Sequence, residues 1–274
     1  MNNKIAVILP VYKNDKPQYL SLAIESILYQ TYRNIHLYIG VDGPVGDELH
    51  KNLELMESQT HVRVVWFPEN RGLACVLNDL LDICFNEGYV YIARMDADDL
   101  SLPDRLEKQI KFLISNPDID VVGGAVKRID GDGCPIGDIK IFPLDHQACV
   151  KRFEKRNPLS HPAVMFRKSF FDKIKGAYRN EYRTNQDTVL WFDGLMHGIR
   201  MANLPDVILK FRVTNEMLGN RRGGWKRAKK QLDTRLMINK GLGYGGKSYI
   251  YAYLVFIYMV SPLFIKRVAY KYFK

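Results

Sequence analysis

Four short runs rich in β-branched and aromatic residues, with helical patterns between them, constrain the fold of this chain more than any other feature. Lys4 to Val11 (KIAVILPV), Ile35 to Val41 (IHLYIGV), Val62 to Phe67 (VRVVWF) and Tyr89 to Met95 (YVYIARM) read as buried strands. Pro17 to Tyr32 places Leu20, Ala23, Ile24, Ile27 and Leu28 on one helical face, and Leu73 to Phe85 does the same with Leu73, Val76, Leu77, Leu80, Leu81 and Cys84. Strand–helix alternation predicts a mostly parallel α/β sheet flanked by helices, with ligands bound beyond the carboxyl ends of the strands. A further helix is expected from Ser101, as N-cap, to Ser115, with Pro103 in its first turn. From Val121 the pattern is mixed: strands at Val121 to Ile129 and Ile139 to Phe142, then helices near Leu144 to Lys155 and Thr188 to His197. The sequence therefore divides into a body over residues 1–220, with halves at about 1–120 and 121–220, and a tail over 221–274.

The formal charge of +10 would suggest a nucleic-acid partner if it were spread over the chain. It is not spread. From Lys210 to Lys274 there are 15 Lys plus Arg against only Glu216 and Asp233, whereas residues 1–209 carry 25 basic and 28 acidic side chains. Within this tail, Tyr249 to Ile265 holds 17 uncharged, tyrosine-rich residues, followed by Lys266, Arg267, Lys271 and Lys274. A span needs about 20 apolar residues, so the segment suits a basic, amphipathic, membrane-associated tail on an anionic membrane surface, with no nucleic acid involved. The four cysteines form no CxxC pair, and Met1 to Lys4 lacks the n-region of a signal peptide, so the chain is expected to stay on the side where it is made.

Two predicted strands end in acid: Val41-Asp42-Gly43 and Met95-Asp96-Ala97-Asp98-Asp99. Both acids fall on the same sheet edge. Three carboxylates within four residues repel one another unless a cation sits among them, and hard ions such as Mg²⁺ or Mn²⁺ take oxygen ligands. An acidic helix start is the competing reading for Asp99.

In this setting the sequence resembles the inverting glycosyltransferases of family 2, whose fold is the GT-A nucleotide-diphospho-sugar transferase fold. The resemblance covers about residues 4–215 and is closest to the branch that builds bacterial O-antigens and exopolysaccharides. Its motifs come in order: Ile8-Leu9-Pro10-Val11-Tyr12-Lys13-Asn14, Val41-Asp42-Gly43, Asn70-Arg71-Gly72-Leu73-Ala74 with Asn78, Asp96-Ala97-Asp98-Asp99, and Gln186-Asp187. The resemblance implies that Pro10, Tyr12 and Asp42 hold uracil and ribose, with Asn70 and Asn78 on the donor side and Arg71 at the diphosphate. It implies that Asp98 binds Mn²⁺ or Mg²⁺, that Asp96 faces ribose and metal, and that Asp99 contacts the donor sugar. Asp187 occupies the place of the family's catalytic base, although Gln186 stands where the family usually has a second acid. Trp191 is placed either to stack on a sugar or to fill the core, His161 lies near the acceptor or is structural, and Arg212 with Arg221 and Arg222 is expected near phosphates.

The expected activity is transfer of a hexose, from UDP-galactose or UDP-glucose, to a lipid-diphosphate-linked saccharide such as GlcNAc-diphospho-undecaprenol. The expected place is the cytoplasmic face of the bacterial inner membrane. Gly241 to Ser248 matches the P-loop pattern GxxxxGK[ST], but it follows a basic helix-like segment instead of a strand, so it reads as a flexible joint. A nucleotidyltransferase would carry a glycine-rich loop after the first strand, where Pro10 to Asn14 has none. A membrane or nucleic-acid adaptor would explain the basic tail but not the acids at two strand ends.

Overall fold

The computed structural model describes residues 3–214 and 224–261; Arg221, Arg222 and the chain beyond Ser261 lie outside them. β1 (Ile5–Val11), β2 (Ile35–Asp42), β3 (Val62–Phe67) and β4 (Tyr91–Arg94) are parallel neighbours. They are joined through α1 (Pro17–Leu28), α2 (Asp47–Glu57) and α3 (Leu73–Asn86). β5 (Leu100–Ser101) follows, and the second half contributes β6 (Val121–Ile129), β7 (Met165–Arg167) and β8 (Met201–Arg212), giving one eight-stranded sheet in the order β3-β2-β1-β4-β7-β6-β8-β5. β7 runs antiparallel to both β4 and β6, and so joins the halves. The strand order reverses between β1 and β4, which opens a crevice beyond their carboxyl ends.

Each sheet face buries its own apolar layer. Ile5, Val7, Leu9, Ile24, Leu37, Ile39 and Leu106 pack on the face of α1 and of α4 (Arg105–Ser115). Ile8, Tyr38, Leu77, Leu80, Phe166, Phe170 and Trp191 pack on the other, under α3, α6 (Lys168–Ile174) and α7 (Gln186–Met196). α3 approaches β2 closely because position 40 has no side chain: a Cβ on Gly40 would lie 2.5 Å from Val76 Cγ1 and 3.0 Å from Leu80 Cδ1. Gly40→Ala is accordingly expected to lower stability by about 1–3 kcal/mol, read as a lower urea midpoint at constant m.

Several boundaries differ from the expectation. Ser101 does not cap a helix; Leu100 and Ser101 pair with Lys210 and Leu209 of β8, and the helix starts at Arg105. Ile139 to Phe142 is not a strand, because only Lys140 bridges to Val126. α5 (His146–Phe153) lies within the helix expected near Leu144 to Lys155. The C-terminal pair, α8 (Trp225–Gly241) and α9 (Gly246–Val260), docks on α5 and α7. The glycine-rich joint between them is packed against the body: Tyr244 donates its hydroxyl to Val150 O at 3.0 Å, and a Cβ on Gly241 would meet Phe192 at 2.5 Å. α9 leaves Ile250, Tyr253, Leu254, Ile257 and Tyr258 exposed in one stripe. Among the described residues no helix is long and apolar enough to cross a membrane.

Candidate active site

β2 delivers Asp42 to the crevice, where its carboxylate receives the backbone N–H of Arg71 at 2.8 Å and of Gly72 at 2.9 Å. Asn70 Nδ2 donates to Asp42 O at 3.0 Å. This latch holds the 70–72 loop against β2, and it needs Gly43 at φ +83, where a Cβ would lie 2.6 Å from Asn70 N. Pro10 and Tyr12 stand half-buried beside it at the end of β1.

Two residues expected on the donor have other partners. The Arg71 guanidinium pairs with Asp79 and lies 5.0 Å from the centre of the Phe67 ring. Asn78 clasps a segment 100 residues away: its Nδ2 donates to Tyr178 O at 2.8 Å and its Oδ1 accepts from Tyr178 N at 2.9 Å. In place of Arg71, the guanidinium of Arg183 covers this loop, 3.6 Å from where a Cβ on Gly72 would sit.

Beyond β4, Asp96, Asp98 and Asp99 bring one oxygen each within 4.8 Å of one another. Three arginines brace the turn from behind. Arg94 is buried and pairs with Asp96. Arg105, fully buried, donates to Arg94 O at 2.7 Å, and burial pulls its pKa down to about 9. Arg212 donates Nε–H to Asp98 O at 2.8 Å and Nη1–H to Asp130 O and Gly131 O at 3.0 and 2.8 Å. Arg212 thus gives its Nε and Nη1 donors to carbonyls, and its guanidinium lies 4.2 Å from the centre of the Tyr19 ring. Asp99 is buried and accepts from Arg212 N at 2.8 Å, which removes its reading as a helix cap.

Even so braced, the acids retain excess negative charge. Burial, then repulsion from Asp96, raises Asp98 to about 6, and the same causes hold Asp99 well above the ordinary carboxylate range. Asp99 Oδ2 is a buried oxygen without a hydrogen-bond partner. An all-oxygen donor set with one orphaned buried lone-pair carrier fits a hard divalent cation.

Asp187 enters from the other side, in the first turn of α7. Asn185, in the left-handed region at φ 64, turns the chain into the helix. Asn157 Nδ2 donates to Asp187 Oδ2 at 2.7 Å, and Thr188 Oγ1 lies 3.0 Å from Asn157 Oδ1, so the carboxylate is held at a set angle. Burial raises its pKa, opposed by hydrogen bonds from Thr188 and by the field of Arg94. Trp191 is fully buried and belongs to the core. His161 is buried too, with Nε2 2.7 Å from Tyr178 OH, and burial followed by Arg94 pushes its pKa well below 6.5. Its folded pKa lies below the unfolded one, so it costs stability as pH falls below about 6.5. Its imidazole NMR signals are expected to stay at neutral positions from pH 7 to 5.5, and a midpoint near 6.5 would show that the ring reaches water.

Sequence reasoning passed over Arg94 and Asn157. Arg94 has Nε and Nη1 buried without partners, and it acts electrostatically on Asp96, Asp99 and Asp187 alike. A charged residue closing the apolar run Tyr91-Ile92-Ala93 was the available signal. Asn157 had none, because its importance arises only from contact with Asp187.

A mostly parallel sheet flanked by helices, with acids at two strand ends, is the arrangement of the GT-A fold. Residues 6–175 match the family described as Glycosyl transferase family 2, and the chain belongs to that family. It is 32% identical over 229 residues to the amylovoran biosynthesis glycosyltransferase AmsE of Erwinia amylovora, covering 83% of this chain and 82% of that one. It is 30% identical over 225 residues to an Escherichia coli UDP-Gal:alpha-D-GlcNAc-diphosphoundecaprenol beta-1,3-galactosyltransferase, covering 82% and 79%. Its fold superposes on S. aureus TarS 1-349 with a TM-score of 0.66 at 13% identity, covering 96% of this chain and 77% of that one. On a longer TarS structure the TM-score is 0.61 at 16% identity, and this chain spans 42% of that one.

Proposed function

We propose that the chain is an inverting, metal-dependent hexosyltransferase that moves a hexose from a UDP-sugar, UDP-galactose or UDP-glucose, to a hydroxyl of a lipid-diphosphate-linked saccharide. The observation that carries this reading is the pairing of two acidic centres, Asp96-Asp98-Asp99 and Asp187, on either side of one buried cation, Arg94. Pro10, Tyr12, Asp42 and Asn70 line the place for the nucleoside. Asp98 and Asp96 would hold Mn²⁺ or Mg²⁺, which when bound offsets charge on the departing diphosphate. Asp187 takes the proton from the acceptor hydroxyl as that oxygen bonds to the anomeric carbon; the carbon–phosphate oxygen bond breaks on the opposite face, and UDP leaves with the electron pair. Burial suits Asp187 to this, since a raised pKa makes a carboxylate a stronger base. The acceptor is argued from likeness to the galactosyltransferase of E. coli.

The exposed apolar stripe of α9, beside basic α8, favours an interfacial seat on anionic lipid at the cytoplasmic face of the inner membrane. UDP release is the deciding assay, with a panel of UDP-sugars, Mn²⁺ or Mg²⁺, a synthetic GlcNAc-diphosphate-lipid and a chelator control. Release from one donor that needs both metal and acceptor supports the reading. Absence of nucleotide binding as well as release would sink it.

A further inference from the structure

Near Asp187, four cations lie close enough to act on one another: Arg128, Lys140, Arg152 and Arg156. β6 carries Arg128 near its end. The chain then turns back so that Lys140 exchanges backbone hydrogen bonds with Val126, at 2.9 and 3.0 Å. α5 brings Arg152, and Arg156 follows one turn later, its N–H donating to Arg152 O at 2.9 Å. Lys140 Nζ and Arg152 Cζ lie 4.7 and 5.2 Å from the centre of the same buried ring, Phe142. Arg152 Nε–H also donates to Asn157 O at 3.2 Å, and Asn157 is the residue that holds Asp187. The cluster is thereby attached to the base through a single residue.

We propose that Arg128, Lys140, Arg152 and Arg156 form a phosphate-binding cluster that takes the diphosphate joining the accepting sugar to its carrier; this rests on the transferase reading above. An accepting hydroxyl at Asp187 places the anomeric phosphate of the same sugar roughly across one ring, and the cluster is joined to Asp187 through Asn157, with Lys140 inside the field of the carboxylate. The donor diphosphate is served by the acidic turn and its ion, so a second diphosphate needs positive charge of its own. Arginine forks suit it, because they grip phosphate oxygens in pairs.

Packing alone does not require four cations here. Covering the Phe142 ring needs one cation, and ordinary surface cations pair with acids or spread apart. None of these four forms an ion pair with a carboxylate among the described residues. They press on one another instead: burial lowers Lys140, and Arg152, Arg128 and Arg156 lower it further, with Asp187 opposing; burial and then Arg156 lower Arg152. Unrelieved repulsion beside a catalytic carboxylate is the pattern of a site that awaits an anion.

The test uses the double variant Lys140→Gln/Arg156→Gln, since both side chains reach solvent and neither makes a side-chain hydrogen bond among the described residues. Inorganic pyrophosphate, titrated calorimetrically into the metal-free protein, is expected to bind at least about tenfold more weakly to the variant. In transfer assays, the wild type is expected to prefer a GlcNAc-diphosphate-alkyl acceptor over the phosphate-free GlcNAc-alkyl by a roughly tenfold lower KM, and the variant to lose that preference. Equal pyrophosphate affinity in the two proteins overturns the proposal. So does a wild type that uses both acceptors alike, which would leave the transferase reading standing. Failure to transfer to either acceptor would sink the transferase reading, with pyrophosphate binding still deciding the cluster. Sedimentation with phosphatidylglycerol vesicles separates the remaining source of phosphate: if the variant loses vesicle binding and keeps pyrophosphate affinity, the cluster serves lipid headgroups and the proposal falls.

Discussion

Replacing Asp187 by Asn is expected to leave UDP affinity within about twofold of wild type and to lower turnover by roughly 10² to 10⁴-fold, the range that a positioned general base contributes. The amide is nearly isosteric: its one oxygen can still accept from Asn157 Nδ2, and its NH2 can donate to the Thr188 hydroxyl oxygen, so the local packing is kept. What is lost is the acceptor of the proton. Gln186 offers no carboxylate in its stead, so no neighbour along the helix can substitute. Calorimetric UDP binding beside initial rates checks both halves, and undiminished transfer would remove Asp187 from the base's role.

Asp98→Asn is expected to act in two directions. Turnover in the presence of Mn²⁺ should fall about 10² to 10³-fold, as charge on the leaving diphosphate goes uncompensated. The melting temperature of the metal-free protein at pH 7 should rise, because one of three crowded carboxylates becomes neutral. The sign follows from proton counting. Asp98 has a folded pKa of about 6 against an ordinary 3.8, so the native state holds the extra proton between those values. Stability of the metal-free wild type therefore decreases as pH rises through about 4 to 6. Saturating Mn²⁺ should restore it in the wild type, since a ligand that binds only the native state stabilises it, and should do little in the variant. Thermal melts of both proteins with and without Mn²⁺ across this pH range decide the matter. A wild type whose melting temperature ignores Mn²⁺ would count against the acidic turn as a metal site.

The first half of the fold was legible because buried parallel strands are nearly continuous apolar runs, and β1, β2, β3 and β4 fall where those runs are. β8 was not, since Pro205 and Asp206 interrupt its pattern where its register with β6 shifts. Its alternation also depends on strands some 80 and 110 residues earlier. The acidic strand ends were legible as residue types at predictable places. What each residue does with its neighbours was less so. Nothing in the sequence near Asn78 points to Tyr178, nothing near Arg212 shows that backbone carbonyls take its donors, and the latch at Asp42 depends on a loop that only the β2–β3 pairing brings alongside.

α5 lies between the C-terminal helix pair and Asp187. On one side Val150 O and Phe153 O accept from Tyr244 and Arg235, and just past the helix Glu154 meets Ser248 of α9; on the other Arg152 reaches Asn157 and so Asp187. An eight-residue helix therefore works as a gauge block: it sets how far Asp187 stands from the exposed apolar stripe of α9. Inserting one residue in it would turn Arg152 by roughly 100° relative to the side that meets the C-terminal pair, so the spacing of the apolar stripe from Asp187 and the orientation of Asp187 are one mechanical quantity, and neither can be retuned alone.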